Sequence, residues 1–234
     1  MLDDAIEILD EQGPCLVVNK PPGLLTQAPP GIDSLERRVK AFLERRDAMA
    51  DEVYLGVPHR LDRPASGAIV LATHRRAARR LAEQFERRLV RKVYWACVSG
   101  EVTPTEGTWR DFLRKVPDQP RAEVVPADHP DAREAVLHYR TLGRFAWGTW
   151  LEIVLETGRM HQVRVQGAVR GHPVLGDAMY GSPVAFGPQH DDWRLRAIAL
   201  HARELTFRHP ATHREVCVFA PLPNVWGDLV KNAG

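Results

Sequence analysis

The chain has 234 residues, 44% hydrophobic and 26% charged, with 32 Lys plus Arg against 30 Asp plus Glu. This balance excludes a disordered or fibrous chain, and the length supports one substantial buried core. No stretch approaches the roughly 18 apolar residues of a membrane-spanning helix. The opening segment carries Asp3, Asp4, Glu7, Asp10 and Glu11 and no base, unlike a secretory or transit peptide. Cys15, Cys97 and Cys217 each stand beside apolar residues and are expected to be reduced core thiols, which favours the cytoplasm.

In chain order, short strands are expected at Ala5–Leu9 and Cys15–Asn19, and an irregular loop at Lys20–Gly23, where two prolines forbid regular structure. Ser34 can cap a helix whose Leu35, Val39, Phe42 and Leu43 fall at helical spacing. A buried strand at Gly67–Thr73 precedes a basic amphipathic helix with Ala78, Leu81, Phe85 and Leu89 on one face. Strands follow at Lys92–Ser99, Thr108–Phe112, Ala135–Thr141 and Thr149–Glu156, and a helix from Met160 to Arg170 stops at Gly171. The last strands are Leu200–Arg208 and Glu215–Phe219. The segment Pro117–Pro130, with four prolines, is expected to be a long loop. Strands with irregularly interspersed helices indicate an α+β fold with a mixed, largely antiparallel sheet, in one domain over residues 1–234.

Charge is segregated. Arg75, Arg76, Arg79, Arg80, Arg87, Arg88, Arg91 and Lys92 face only Glu83 and Glu86 in their segment, and a second cluster holds Arg37, Arg38, Lys40, Arg45 and Arg46. Of the 32 bases 27 are Arg, the residue suited to bidentate phosphate contacts, although codon bias and solvated helix faces give the same composition.

Three clusters carry chemistry. In His59-Arg60-Leu61-Asp62-Arg63-Pro64-Ala65-Ser66-Gly67 an acid lies between bases in a loop, and flanking cations favour a charged carboxylate able to act as nucleophile or base. An Asp that merely caps a turn has the same pattern. In Gly158-Arg159-Met160-His161-Gln162-Val163-Arg164, His161 and Arg164 share a helical face, so Arg164 can reach a buried carboxylate or simply brace the helix start. Gly171–Gly181 (GHPVLGDAMYG) implies tightly specified turns, more architectural than catalytic. No phosphate-binding glycine loop, CxxC, HExxH or GxSxG motif occurs, so nucleotide cofactor and zinc sites are unsupported.

The ordered set resembles the RluA-type family of RNA pseudouridine synthases. Leu16–Gly23 is similar to that family's VVNKPxG opening, His59–Gly67 to its catalytic HRLDxxTSG loop and Lys92-Val93-Tyr94 to its K-x-Y strand. Gly158–Arg164 matches GRxHQ[IV]R, Gly171–Gly181 matches GHPxLGDxxYG and Leu200-His201-Ala202 a late LHA element. The resemblance implies that family's fold, with helices flanking the sheet and a central active-site cleft. It also implies isomerisation of uridine in ribosomal or transfer RNA without metal or small-molecule cofactor.

The same resemblance makes Asp62 the catalytic aspartate, Tyr94 the tyrosine stacked on the target base, and Arg164 the arginine paired with the aspartate. It puts Arg60 where a side chain enters the stack vacated by a flipped base, sets His59 and His161 beside the substrate, and packs Leu200 under the tyrosine. The two basic clusters become expected phosphate contacts. Ala65 and Met160 stand where the family has Thr, and Gln166 where His is common, which keeps an inactive RNA-binding scaffold as the alternative. With the opening motif starting by residue 16, no S4-like domain is expected before it. A monomer is the default expectation.

Overall fold

The computed structural model describes residues 6–47 and 53–231. Backbone proximity divides the chain into two compact units: the residues up to Arg91 with Ala202–Pro221, and Lys92–His201 with the segment from Leu222.

The first unit holds strands β1 (Ile8–Gln12), β2 (Cys15–Lys20) and β3 (Ser66–Ala72), then β9 (Leu200–Arg208, which joins this unit at Ala202) and β10 (Glu215–Phe219). Their order is β1-β2-β3-β9, with β10 antiparallel to β9. The expected first strand is displaced towards Gln12, and Ala5 lies outside the described residues. Leu16, Val17, Val18, Ile69, Val70 and Leu71 are all fully buried, so both faces of the β2–β3 pair are covered, which accounts for their unbroken apolar runs. One face packs Val17 and Val70 against Ala77 and Leu81 of helix α2 (Arg75–Glu86). Gly67 has φ +116°, and a Cβ there would collide with the Ala202 carbonyl; glycine is what lets the two backbones touch.

Helix α1 (Leu35–Arg46) follows its sequence rules. Ser34 caps it by accepting the Arg37 amide, Glu36 stands in the first turn, and Arg45 and Arg46 stand in the last. Within its basic cluster Arg38 pairs with Asp33, Lys40 with Glu36, and Arg46 with Glu11 and Asp47, while Arg37 and Arg45 are exposed. Helix α2 ends at Glu86, before Leu89. Leu89 is 62% exposed and belongs to the turn beyond the helix, not to its apolar face.

The second unit is an antiparallel sheet in the order β4-β8-β7-β5-β6, comprising β4 (Arg91–Ser99, in this unit from Lys92), β5 (Glu106–Lys115), β6 (Ala122–Val125), β7 (Arg133–Phe145) and β8 (Gly148–Leu155). The segment Pro117–Pro130 is therefore not a plain loop: Ala122–Val125 pairs with Phe112–Lys115 as the return strand of a hairpin. Helix α3 (Gln162–Ala168) is shorter than the expected Met160–Arg170, because His161 before it is in the left-handed region at φ 53°. Late in the chain, Trp226 is buried and meets the rings of Phe186 and His201 edge-on. The sheet and its helices make the α+β architecture expected. No helix among the described residues is long and apolar enough to cross a membrane.

The cysteines divide in a way their neighbours conceal. Cys15 and Cys97 are buried, and burial raises their thiols to about 11 and about 12, with Asp10 adding to the effect at Cys15. Cys217 is exposed, because on β10 it alternates with the inward Val216 and Val218. An aromatic disulfide reagent at pH 7.5 is expected to titrate one thiol per native chain, and Cys217→Ala to remove it. Rapid reaction of a second thiol in the native variant would contradict this.

Candidate active site

The loop carrying Asp62 is stitched to the loop after β2 on both sides of the carboxylate. Before it, the Thr26 hydroxyl donates to the Leu61 carbonyl at 2.9 Å, and the Leu61 amide donates to the Thr26 oxygen at 3.2 Å. After it, the Arg63 carbonyl accepts the Gly23 amide at 2.8 Å, while Arg63 Nε donates to the Gly23 carbonyl at 2.9 Å. The Ala65 amide closes a turn on the Asp62 carbonyl at 3.1 Å. Asp62 itself is half-buried between these fixed neighbours.

Lys20 completes the stitching. Its side chain is wholly buried, and its ammonium donates to the carbonyls of Pro21 (2.9 Å), Leu24 (2.7 Å) and Arg63 (3.2 Å). Three donors meet three acceptors, which is how a charged amine tolerates burial. Desolvation nevertheless lowers Lys20 to about 7; the Asp62 carboxylate opposes that shift and Arg63 adds to it. In the sequence Lys20 is conspicuous only as part of the Leu16–Gly23 motif. The signal available was a lysine ending an apolar strand and followed by two prolines.

His59 and Arg60 share this loop. His59 Nε2 accepts the Val70 amide at 3.0 Å and its ring stacks on Phe85 with centroids 4.2 Å apart, so it bridges the loop to β3 and α2. Arg60 is exposed.

In the second unit Arg164 is buried on α3 and forks onto Asp177, with Nε–Oδ2 at 2.6 Å and Nη2–Oδ1 at 2.9 Å. Its guanidinium also lies over the Tyr180 ring, 5.0 Å from the centroid. The Tyr180 hydroxyl lies 2.8 Å from His161 Nδ1 and exchanges hydrogen bonds with the backbone of Ala122 on β6. Arg164, Asp177, Tyr180 and His161 thus form one network that anchors the GHPVLGDAMYG segment to α3. Met160 packs beside it against an apolar cluster containing Leu113, Ala122 and Val165. Tyr94 is half-buried on β4, opposite Ile153 of β8, and Leu200 is buried directly after Ala199, whose carbonyl accepts the Cys97 amide. The sequence-derived residues therefore fall as His59, Arg60 and Asp62 in the first unit and Tyr94, His161, Arg164 and Leu200 in the second.

The fold has close solved counterparts. Human RNA Pseudouridylate Synthase Domain Containing 4 superposes with a TM-score of 0.78 at 24% identity, covering 97% of this chain and 92% of that one. Human RNA Pseudouridylate Synthase Domain Containing 1 gives 0.71 at 22% identity, covering 97% and 94%. The architecture is that of the pseudouridylate synthases.

Sequence comparison narrows the class. The family described as RNA pseudouridylate synthase matches residues 14–168, a span that includes Lys20, Asp62, Tyr94 and Arg164. An uncharacterised RNA pseudouridine synthase of Synechocystis is 33% identical over 93% of this chain and 66% of its own length. Ribosomal large subunit pseudouridine synthase D of Xylella fastidiosa is 36% identical over 94% and 67% respectively. This chain belongs to the RluA-type family of RNA pseudouridylate synthases, and it spans about two thirds of the length of these curated relatives.

Two measurements test the site's construction. Since folded Lys20 titrates near 7 and unfolded lysine near 10.5, the unfolded chain binds more protons between those values. The Lys20 contribution to folding stability should therefore rise with pH across that window and be flat below it. Lys20→Met should flatten the rise and lower stability at pH 7, because three carbonyls lose their donor; urea unfolding at pH 6.5 to 9.5 measures both. Asp177→Ala, which leaves Arg164 without its fork, should cost about 3–5 kcal/mol of stability. A thermal midpoint within two or three degrees (on the order of 1 kcal/mol) would show that the pair does not hold this segment.

Proposed function

We propose that this protein converts uridine to pseudouridine in RNA, with large-subunit ribosomal RNA as the substrate class, and that Asp62 is its catalytic residue. The observation that carries the reading is the placement of one half-buried carboxylate on a loop whose flanking residues are both hydrogen-bonded in place, within the span that matches the family. A carboxylate held in this way meets its substrate without reorganising, which is the condition for electrostatic and nucleophilic catalysis. The substrate class rests on the relatives named for the ribosomal large subunit.

The reaction is an isomerisation. The N1–C1′ bond of uridine breaks, a C5–C1′ bond forms, the C5 hydrogen leaves as a proton and N1 takes one up, with no net oxidation. Asp62 acts on the substrate during exchange of the glycosidic bond. Tyr94 stacks on the uracil, and Arg164 serves the reaction while keeping its fork on Asp177. Arg60, exposed beside Asp62, fills the stack left by the flipped nucleotide. Leu200 supports Tyr94, and His59 and His161 hold the loop and helix that frame the base. In this reading the two units act as one catalytic domain, as a cytoplasmic monomer.

Tritium release from RNA labelled at uridine C5 measures the reaction directly, because the C5 hydrogen must leave. Asp62→Ala should reduce release by at least about a thousandfold with the thermal midpoint nearly unchanged. Release at the parental rate from the variant would remove Asp62 from the chemistry. An inactive parent with undiminished RNA binding would instead support a scaffold without turnover.

A further inference from the structure

Helix α2 violates the rules that α1 obeys. Its first turn contains no acid and two arginines, Arg75 and Arg76, the wrong sign for that end of the helix dipole. His74 in the cap position makes no capping hydrogen bond with its side chain. At the other end Arg88 occupies the left-handed region at φ 58°, where glycine is the low-strain choice, while the Leu89 amide reaches back to the Gln84 carbonyl. Leu89 then projects into solvent at 62% exposure. Each departure works against the isolated fold, and such departures collect where function sets the residue.

The departures share one chemistry. Arg75, Arg76, Arg79, Arg87 and Arg88 are all exposed, on an element about 18 Å long. Arg79 has an ion pair with Glu83, and Arg75 lies over the exposed ring of Tyr54, 5.1 Å from its centroid. Arg76 and Arg87 have no carboxylate partner among the described residues. Arg80 differs: it turns inward to the Pro210 carbonyl. On α1, Arg38, Lys40 and Arg46 are answered by Asp33, Glu36, Glu11 and Asp47, while Arg37 and Arg45 stay exposed. The longer run of exposed arginines thus lies on α2 and the turn after it.

We propose that the exposed face of α2, through its Arg87–Arg88–Leu89 turn, is the surface on which this protein holds the phosphate backbone of its RNA. The proposal rests on the synthase reading and specifies which surface meets the substrate. Guanidinium groups supply bidentate phosphate contacts independent of base identity, and Leu89 between them gives an apolar edge against a sugar or base.

The test uses a large-subunit ribosomal RNA transcript labelled with tritium at uridine C5. Four proteins are compared: the parent, Arg75→Gln/Arg76→Gln/Arg79→Gln/Arg87→Gln, the same four positions changed to Lys, and Arg144→Gln/Arg194→Gln, two exposed arginines outside both basic clusters, as a control. Gln and Lys both retain good helix propensity, and Arg76→Gln/Arg87→Gln serves if the fourfold change unfolds the chain. The Gln variant should show KM raised about tenfold near 0.15 M salt, with kcat within about twofold of the parent. Its plot of log KM against log salt should be shallower by about 2 to 3. The Lys variant and the control should stay near the parent. Parental KM and salt slope in the Gln variant would overturn the proposal while leaving the synthase intact, and would assign these arginines to another anionic partner. If the parent itself releases no tritium, the synthase reading fails separately. Filter binding of the same transcript then decides the surface: weaker binding by the Gln variant upholds it, and equal binding overturns it.

Discussion

A single buried amine organises the region around Asp62. Lys20 ends β2, and its three hydrogen bonds reach Pro21 and Leu24 in its own loop and Arg63 in the loop of the candidate aspartate. An apolar side chain of the same length would leave three carbonyls without donors in a dry environment, so the N–H groups of the amine are what make the two loops compatible. Thr26 and Gly23 add their bonds to the same seam. The position of Asp62 is therefore determined from β2, more than forty residues earlier in the chain, and not by its immediate neighbours alone.

The two aspartates of the conspicuous motifs are used differently, and burial separates them. Asp177 is buried with both oxygens forked onto Arg164, so its interactions are spent on holding the turn segment to α3. Asp62 is half-buried, and its backbone neighbours supply the stitching described above.

What was legible in the sequence was whatever depends on local pattern. Ser34 and the Leu35, Val39 and Leu43 spacing specified α1 and its cap, and the strands expected at Leu200–Arg208 and Glu215–Phe219 have those ends in the structure. The motif order identified the loop of Asp62 before any contact was known. Misplacements occurred where a distant partner or a backbone conformation decides. Leu89 fits the apolar spacing of α2, but Arg88 leaves the helix first. Ala122–Val125 lies between prolines, yet the edge of β5 recruits it as a strand. Cys217 has apolar neighbours on both sides, and in a strand that is the pattern of an outward residue. Lys20 acquires its meaning only when Arg63 is brought beside it.

The order in which the chain contributes its parts has a further consequence during synthesis. The first unit takes β9 and β10 from far beyond its early strands, and the second takes Trp226 from beyond those. Neither can close on a nascent chain that has exposed only its first two hundred residues. Until then the apolar runs of β2 and β3 have one edge without its final partner, a state open to pairing with other chains. β3 ends at Ala72 and β9 begins at Leu200, so that edge waits for its partner through the synthesis of the whole segment between them.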